Sequence, residues 1–213
     1  MFTNKLKEHW AEGRAAINGW LSIGNPFTAE IMAAQGYDSI TIDAQHGALD
    51  YTAVLPMLQA MRASGVTPMV RVPWREPGAI MKALDAGAQG IICPMVNSAA
   101  EAAEGVANLD AIAATPGLDG IYIGPADLTL GTQAGRLAPA FDREEPEMIE
   151  LIKHILEVCK RNGIRACIHC GTASYAARAI EWGFDLTTVS GDSRLLAAAA
   201  AGSVAEWRSL TKA

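Results

Sequence analysis

Three side chains stand in this chain where a proton could be moved beside a bound anion. His46 lies in Asp43-Ala44-Gln45-His46-Gly47, a glycine-containing loop that leaves an imidazole within reach of solvent. With an ordinary pKa of about 6.5, such a ring suits general-base work near neutral pH. The bland alternative is a loop histidine that caps a helix. Arg71 follows the apolar run Pro68-Met69-Val70, an odd place for a permanent guanidinium unless it faces an anion. That anion is either a substrate carboxylate or enolate oxygen, held bidentately, or an acidic neighbour in a structural ion pair. Asp127, in Gly124-Pro125-Ala126-Asp127, presents a carboxylate at a tight turn. It can ligate a hard cation such as Mg²⁺ or Mn²⁺, or simply cap a helix, and spacing does not separate the two. His169, between Ile168 and Cys170, reads as structural or supporting. Asp192 follows the last apolar run, and His9 and His154 fall in helical stretches and read as surface residues. Asp85, in KALDAGAQG, reads as a helix-end residue with no evident role.

The elements that must position these residues recur as a unit. Short apolar runs of strand type cover 17–24, 37–43, 67–72, 90–96, 120–124, 164–169 and 185–190. Helical segments separate them, many ending in glycine before the next run, the expected stop signal. Apolar strands alternating with helices indicate a parallel sheet covered on both faces. The longest irregular piece, about 129–145, reads as a loop insertion. The unit repeats without resetting and no linker divides the chain, which favours a single closed TIM (β/α) barrel over 1–213. Neither G-x-G-x-x-G nor G-x-x-x-x-G-K-[ST] occurs, which disfavours a dinucleotide fold or a P-loop. In such a barrel the chemistry sits at the carboxyl ends of the strands, where His46, Arg71, Asp127, His169 and Asp192 all fall. The strands number seven, where a standard barrel has eight.

Composition narrows the rest. In 213 residues, 50% are hydrophobic and 19% charged, enough apolar matter for a sizeable core. A net charge of −6 leaves no basic excess for a phosphate backbone, so nucleic acid is excluded as the main partner. The amino-terminal stretch lacks the unbroken apolar core of a signal peptide, and the alanine-rich segment near the carboxyl end is too short to span a bilayer. Cys93, Cys159, Cys167 and Cys170 form no framework. Cys167 and Cys170 make one C-x-x-C without the second pair a zinc site would want. Reduced thiols in a cytoplasmic enzyme, without membrane contact, are the expectation.

The segments DAQHG, MVRVPW, KALDAGAQGIICPMVNSAAEA, NLDAIAATPGLDGIYIGPADL and CGTASYAARAIEWGFDLTTVSGD together resemble the HpcH/HpaI-type, metal-dependent (class II) pyruvate aldolases, from about Trp20 to Ala201. The resemblance implies a (β/α)₈ barrel that reversibly cleaves a 4-hydroxy-2-oxo acid to pyruvate and an aldehyde. It makes His46 the base, Arg71 the group that holds the pyruvate oxygens, and Asp85 the aspartate that raises the basicity of the histidine. It makes Asp127 a ligand of a divalent metal (Mg, Mn or Co), and gives the backbone of Ala126 and Asp127 to the substrate carboxylate. It also implies a homo-oligomer, a hexamer by analogy, with a carboxyl-terminal helix over about 193–209 packing on a neighbour or on its own barrel. The rivals are a citrate-lyase- or malyl-CoA-lyase-type relative on the same barrel, for which no basic CoA-binding cluster is visible, and a catalytically degenerate scaffold.

One departure from the family pattern stands out. In the family a further strand ends in Ile-Glu-Thr, whose glutamate is the second metal ligand. Here Val96-Asn97-Ser98-Ala99-Ala100-Glu101 runs straight on towards Asn108-Leu109-Asp110, and about one βα unit is missing. Glu101 falls in register with that glutamate, and equally with an ordinary helix glutamate after the fourth strand. Either the barrel is incomplete and its metal binding weakened, or the working protein carries a stretch absent from this sequence.

Overall fold

The structure is a computed structural model that describes residues 4–94 and 99–211. Seven strands alternate with helices: β1 (Ala16–Leu21), β2 (Ser39–Asp43), β3 (Thr67–Arg71), β4 (Gly90–Ile92), β5 (Gly120–Ile123), β6 (Arg165–Cys170) and β7 (Leu186–Val189). The helices are α1 (Lys5–Ala11), α2 (Pro26–Ala33), α3 (Tyr51–Met61), α4 (Pro77–Asp85), α5 (Ala99–Ala107), α6 (Leu109–Ala113), α7 (Pro125–Thr132), α8 (Pro146–Arg161), α9 (Ala173–Trp182) and α10 (Asp192–Thr211). All strand pairings are parallel, in the order β4-β3-β2-β1-β7-β6-β5. First and last strands pair, which curls the sheet into a nearly closed barrel. The opening lies between β4 and β5, where the sequence runs short of one unit.

The strands are not apolar throughout. Side chains alternate between faces along a strand, and β2 uses this fully. Ile40 and Ile42 point outward into a core with Met32, Val54, Met57 and Met61, whereas Ser39, Thr41 and Asp43 point into the barrel. The interior is filled in layers. At the amino-terminal end Ala16, Met69, Cys167 and Leu186 meet Leu6 of α1, which plugs the mouth. Above them Asn18 links β2 to β7: its amide donates to Thr188 Oγ1 (2.8 Å) and its carbonyl accepts from Ser39 and Thr41. The uppermost layer, at the carboxyl ends, holds Trp20, Asp43, Arg71 and His169.

Two outward-facing cores flank the barrel, one under β1–β4 and one, built on Ile123, Ile152, Leu156, Ile168 and Phe184, under β5–β7. Helix ends follow local chemistry. Asp50 and Thr172 cap α3 and α9, and Gly183 takes a left-handed φ of 109° after α9 that few other residues adopt without strain.

Some sequence expectations need adjusting. The fourth strand ends at Ile92, and residues 95 and 96 of its expected range lie outside the described residues. The alanine-rich stretch forms two helices, α5 and α6, broken at Asn108. The long loop begins only after Thr132, because α7 takes up its first residues. His9 is not a surface residue: its ring is mostly buried, with Nδ1 3.6 Å from Asp38. His154 is exposed as expected. The cysteines are free thiols, buried except for half-buried Cys93. Burial pushes Cys159 up to about 11 and Cys170 up to about 12, so neither is a nucleophile near neutral pH.

Candidate active site

The β2–β3 register sets Asp43 beside Arg71, each the last residue of its strand. Arg71 donates from Nε to Asp43 Oδ1 at 2.8 Å and from Nη2 to Oδ2 at 2.6 Å, a bidentate pair. The Asp43 side chain is 4% exposed and that of Arg71 16%. The Trp20 indole donates to Asp43 Oδ2 at 3.2 Å, and its ring lies 4.8 Å from the guanidinium carbon. Burial alone would raise the Asp43 pKa. The hydrogen bonds and charge of Arg71 outweigh it, with help from the His46 backbone and Trp20, and hold the carboxyl below its ordinary range. Of the two readings of Arg71, the acidic neighbour is therefore present. The pair still leaves Arg71 Nη1 with no acceptor among the described residues.

Asp43 also builds the loop that carries His46. Its Oδ1 accepts the backbone N–H of Gln45 and of His46, both at 3.1 Å, and its carbonyl accepts from Gly47 at 3.0 Å. A Cβ on Gly47 would lie 2.3 Å from that carbonyl oxygen, so the turn closes only on glycine. The His46 ring is thereby held at the rim, exposed and without a hydrogen bond to a described residue.

Across the barrel, Tyr122 donates to Thr188 Oγ1 (2.6 Å) and lies 3.0 Å from His169 Nδ1. Phe141, from the long loop, stacks on the other face of His169 with centroids 4.6 Å apart, and Trp20 meets its edge at 5.0 Å. Burial, aided by the charges of Arg71 and Arg194, pushes the His169 pKa down to about 4, so this imidazole is neutral at physiological pH. It is packed on Phe141 and Trp20 and sits 3.0 Å from the Tyr122 hydroxyl, inside the interior layer below the rim. Trp20, Tyr122, Asn18 and Thr188 were not singled out from the sequence. The signal available was the polar alternation of Ser39, Thr41 and Asp43, which marks a polar interior.

The remaining candidates spread around the molecule. Gly124 precedes α7, putting Ala126 and Asp127 in its first turn at the rim, where backbone N–H groups have no helical acceptor. The Asp127 carboxylate folds back over Gly124, where an added Cβ would lie 3.1 Å from Oδ2, and pairs with no described residue. Glu101 is in the first turn of α5, which packs along α7. Asp85 is the exposed last residue of α4, which starts at the rim and runs away from it. Within one chain the fold does not bring Asp85 to His46. Among the described residues no three His, Cys, Asp or Glu side chains gather as a metal cluster, and no helix is long and apolar enough to cross a membrane.

Fold and rim together define a class: a parallel (β/α) barrel with an imidazole, a guanidinium and carboxylates at the carboxyl ends of its strands. The chain belongs to the HpcH/HpaI aldolase/citrate lyase family, whose model matches residues 17–104 and 99–197. The two stretches overlap at 99–104, so the segment carrying Glu101 answers to two places in the family pattern. The hydroxypyruvate/pyruvate aldolase of Rhizorhabdus wittichii is 36% identical, over 97% of this chain and 100% of that protein. That alignment runs over 253 residues against 213 here, so at least 40 of its positions have no counterpart in this chain. The 5-keto-4-deoxy-D-glucarate aldolase of Klebsiella pneumoniae is 28% identical over 90% of this chain and 92% of its own. A solved HpcH/HpaI aldolase/citrate lyase family protein from Burkholderia cenocepacia superposes with a TM-score of 0.84 at 28% identity, over 97% of this chain and 100% of that one. With aldolases as its relatives, the chain is a carbon–carbon lyase.

Proposed function

We propose that the chain is a divalent-metal-dependent aldolase that reversibly cleaves a 4-hydroxy-2-oxo acid to pyruvate and an aldehyde. One observation carries the reading: the His46 loop, the Arg71–Asp43 pair and the amino end of α7 all face the same rim. His46 takes the proton of the 4-hydroxyl group as the C3–C4 bond breaks. The bonding pair passes to C3, C4 becomes the aldehyde carbon, and protonation of C3 gives pyruvate. Arg71, held against Trp20 and Asp43, turns Nη1 toward the 2-oxo oxygen as negative charge develops there. The N–H groups of Ala126 and Asp127 receive the substrate carboxylate.

The donor set fits a hard divalent cation, since Asp127 and Glu101 offer carboxylate oxygens and no thiol or imidazole. When bound, Mg²⁺, Mn²⁺ or Co²⁺ would supply Lewis-acid stabilisation of that charge. Asp85 can serve His46 only from a second copy of the chain, which agrees with a homo-oligomer. A groove of about 350 Å³ between α9 and the β1–β7 seam, lined by Ile17, Ala173, Ala176, Ile180 and Val189, supports such an assembly. From Ser193 onward α10 is exposed along its length, including Leu196 (64%) and Trp207 (58%). The α10 of a second copy suits that groove.

The test is pyruvate release from a 4-hydroxy-2-oxo acid, followed by a coupled lactate dehydrogenase assay. EDTA should abolish turnover and a divalent ion restore it. His46→Ala should lose about 100-fold or more in kcat, and Arg71→Ala should lose both rate and pyruvate affinity. Metal-independent turnover would sink the mechanism, and wild-type rates in either variant would overturn that residue's role.

A further inference from the structure

His169, the penultimate residue of β6, is only half-buried, although three aromatic rings hold it. Phe141 lies nearly parallel to it at 4.6 Å, and Trp20 and Tyr122 stand nearly perpendicular at 5.0 and 6.3 Å. A ring packed from these sides keeps each of its nitrogens in one direction. Its tautomer follows from a chain of hydrogen bonds across the barrel. Asn18 Oδ1 accepts from Ser39 and Thr41, which turns the Asn18 amide N–H₂ to Thr188 Oγ1. The Tyr122 hydroxyl gives its one proton to the same Thr188 oxygen at 2.6 Å. Tyr122 Oη, 3.0 Å from His169 Nδ1, is then left to accept, so Nδ1 carries the ring proton. Burial and the charges of Arg71 and Arg194 keep a second proton off the ring. Nε2 is therefore a bare acceptor. It has no hydrogen-bond partner among the described residues and is not closed off from solvent. Carboxylates at the neighbouring strand ends are committed elsewhere, Asp43 to Arg71, Trp20 and the His46 loop, and Asp192 to the N–H groups of Ser22, Ile23 and Ser193.

Resting on the aldolase reading, we propose that His169 is a substrate-binding residue whose Nε2 accepts a hydrogen bond from a hydroxyl group on the aldehyde half, and that Tyr122 is the positioning residue that keeps the proton on Nδ1. Arg71 after β3 and the amino end of α7 after β5 take the pyruvate half, which leaves the arc over β6, β7 and β1 to the aldehyde half. His169 stands on that arc. The arginines there can only donate, so a ligand hydroxyl finds its acceptor in Nε2. His169 exchanges no proton with the substrate, since the 4-hydroxyl proton goes to His46 and the C3–C4 bonding pair to C3.

Two measurements test this. In ¹⁵N NMR of histidine-labelled protein, the four histidines are few enough for His169 to be assigned by its absence in His169→Gln. The expected wild-type spectrum has the His169 proton on Nδ1, and Tyr122→Phe, which lacks the acceptor, should show a mixture of tautomers. The second measurement is pyruvate condensation with glycolaldehyde and with acetaldehyde, read as the ratio of the two kcat/KM values. Comparing that ratio between enzymes cancels the unequal reactivity of the two aldehydes. It should fall about tenfold in His169→Phe, the worth of one hydrogen bond, and by less in Tyr122→Phe. His169→Gln, whose amide oxygen still accepts, should recover part of it. A wild-type proton on Nε2 overturns the proposal, and so does an unchanged ratio in His169→Phe. If His169→Phe does not fold, an unchanged ratio in Tyr122→Phe beside an altered tautomer overturns it instead. A wild type that condenses neither acceptor removes the aldolase reading and the proposal with it, and the tautomer spectrum tells that failure from a failure of the His169 geometry.

Discussion

Replacing Asp43 by asparagine should cost the protein about 3 kcal/mol and couple strongly to Arg71. The carboxylate is 4% exposed and accepts from Arg71 twice, from Trp20 and from two backbone N–H groups. Asparagine keeps one oxygen for the His46 loop but turns an N–H₂ toward Arg71 or Trp20, setting donor against donor. The guanidinium, at 16% exposed, is then left without its counter-charge. Removing one partner of a buried pair costs roughly 3–5 kcal/mol. The low end applies here because Arg71 keeps its contact with the Trp20 face and some solvent. For a chain of this length about 3 kcal/mol corresponds to roughly 6–12 °C in Tm. The assay is calorimetry at fixed protein concentration, since assembly also shifts Tm. Arg71→Met alone should also destabilise, but the double variant should cost less than the sum by about 2 kcal/mol, because it leaves no orphan charge. Because the Asp43 pKa is lowered on folding, the pair's contribution is complete above the ordinary carboxylate range and is lost as pH falls through the lowered value. The gap between wild type and Asp43→Asn should therefore narrow in acid. A loss below about 1 kcal/mol, or strict additivity in the double variant, would refute the argument.

Two further outcomes are expected. His169 is held neutral, its pKa pushed down to about 4 from an ordinary 6.5, so below pH 6.5 the unfolded chain takes a proton that the folded chain refuses. Stability should fall as pH drops from 6.5 and level off below about 4, a loss of up to about 3 kcal/mol that His169→Gln removes; equal slopes for the two proteins in urea titrations would contradict it. Light scattering should find a homo-oligomer that Leu196→Asp with Trp207→Asp dissociates. An unchanged mass for that variant would exclude α10 from the interface.

Much of the fold was legible because its signals are local. Apolar runs, helix stops and the missing unit all depend on neighbours in sequence, and the open β4–β5 edge lies where the strand count ran short. The rim loops were legible too, since Gly47 and Gly124 mark turns. What escaped was set by register between distant strands. Asn18 meets Thr188 only because β1 closes on β7, and Arg71 meets Asp43 only because β2 and β3 align their last residues. Reading the strands as uniformly apolar hid this layer, although Ser39, Thr41 and Asp43 alternate with isoleucines. His9 was misplaced for the same reason, because its burial depends on Asp38, far along the chain.

The open seam changes how the site is held together. His46 and Arg71 belong to the half built on β1–β4, and Ala126 and Asp127 to the half built on β5–β7, each with its own outward core. In a closed barrel the halves would be hydrogen-bonded along both seams. Among the described residues the sheet joins them only at β1–β7, so the spacing between Arg71 and Asp127 rests on that seam, on α1 bonded to both halves at the far mouth, and on the side chains crossing the interior. Near the rim those are Asn18 to Thr188 and Trp20 against Tyr122 (5.6 Å) and His169 (5.0 Å), above the layer in which Met69 meets Cys167. Trp20 touches both halves, donating to Asp43 on one side and packing on the rings of β5 and β6 on the other. Its size therefore contributes to the width of the site. A smaller residue there would let the two substrate-holding groups drift apart without removing either, and catalysis that depends on ångström-scale placement would suffer before binding of either half did.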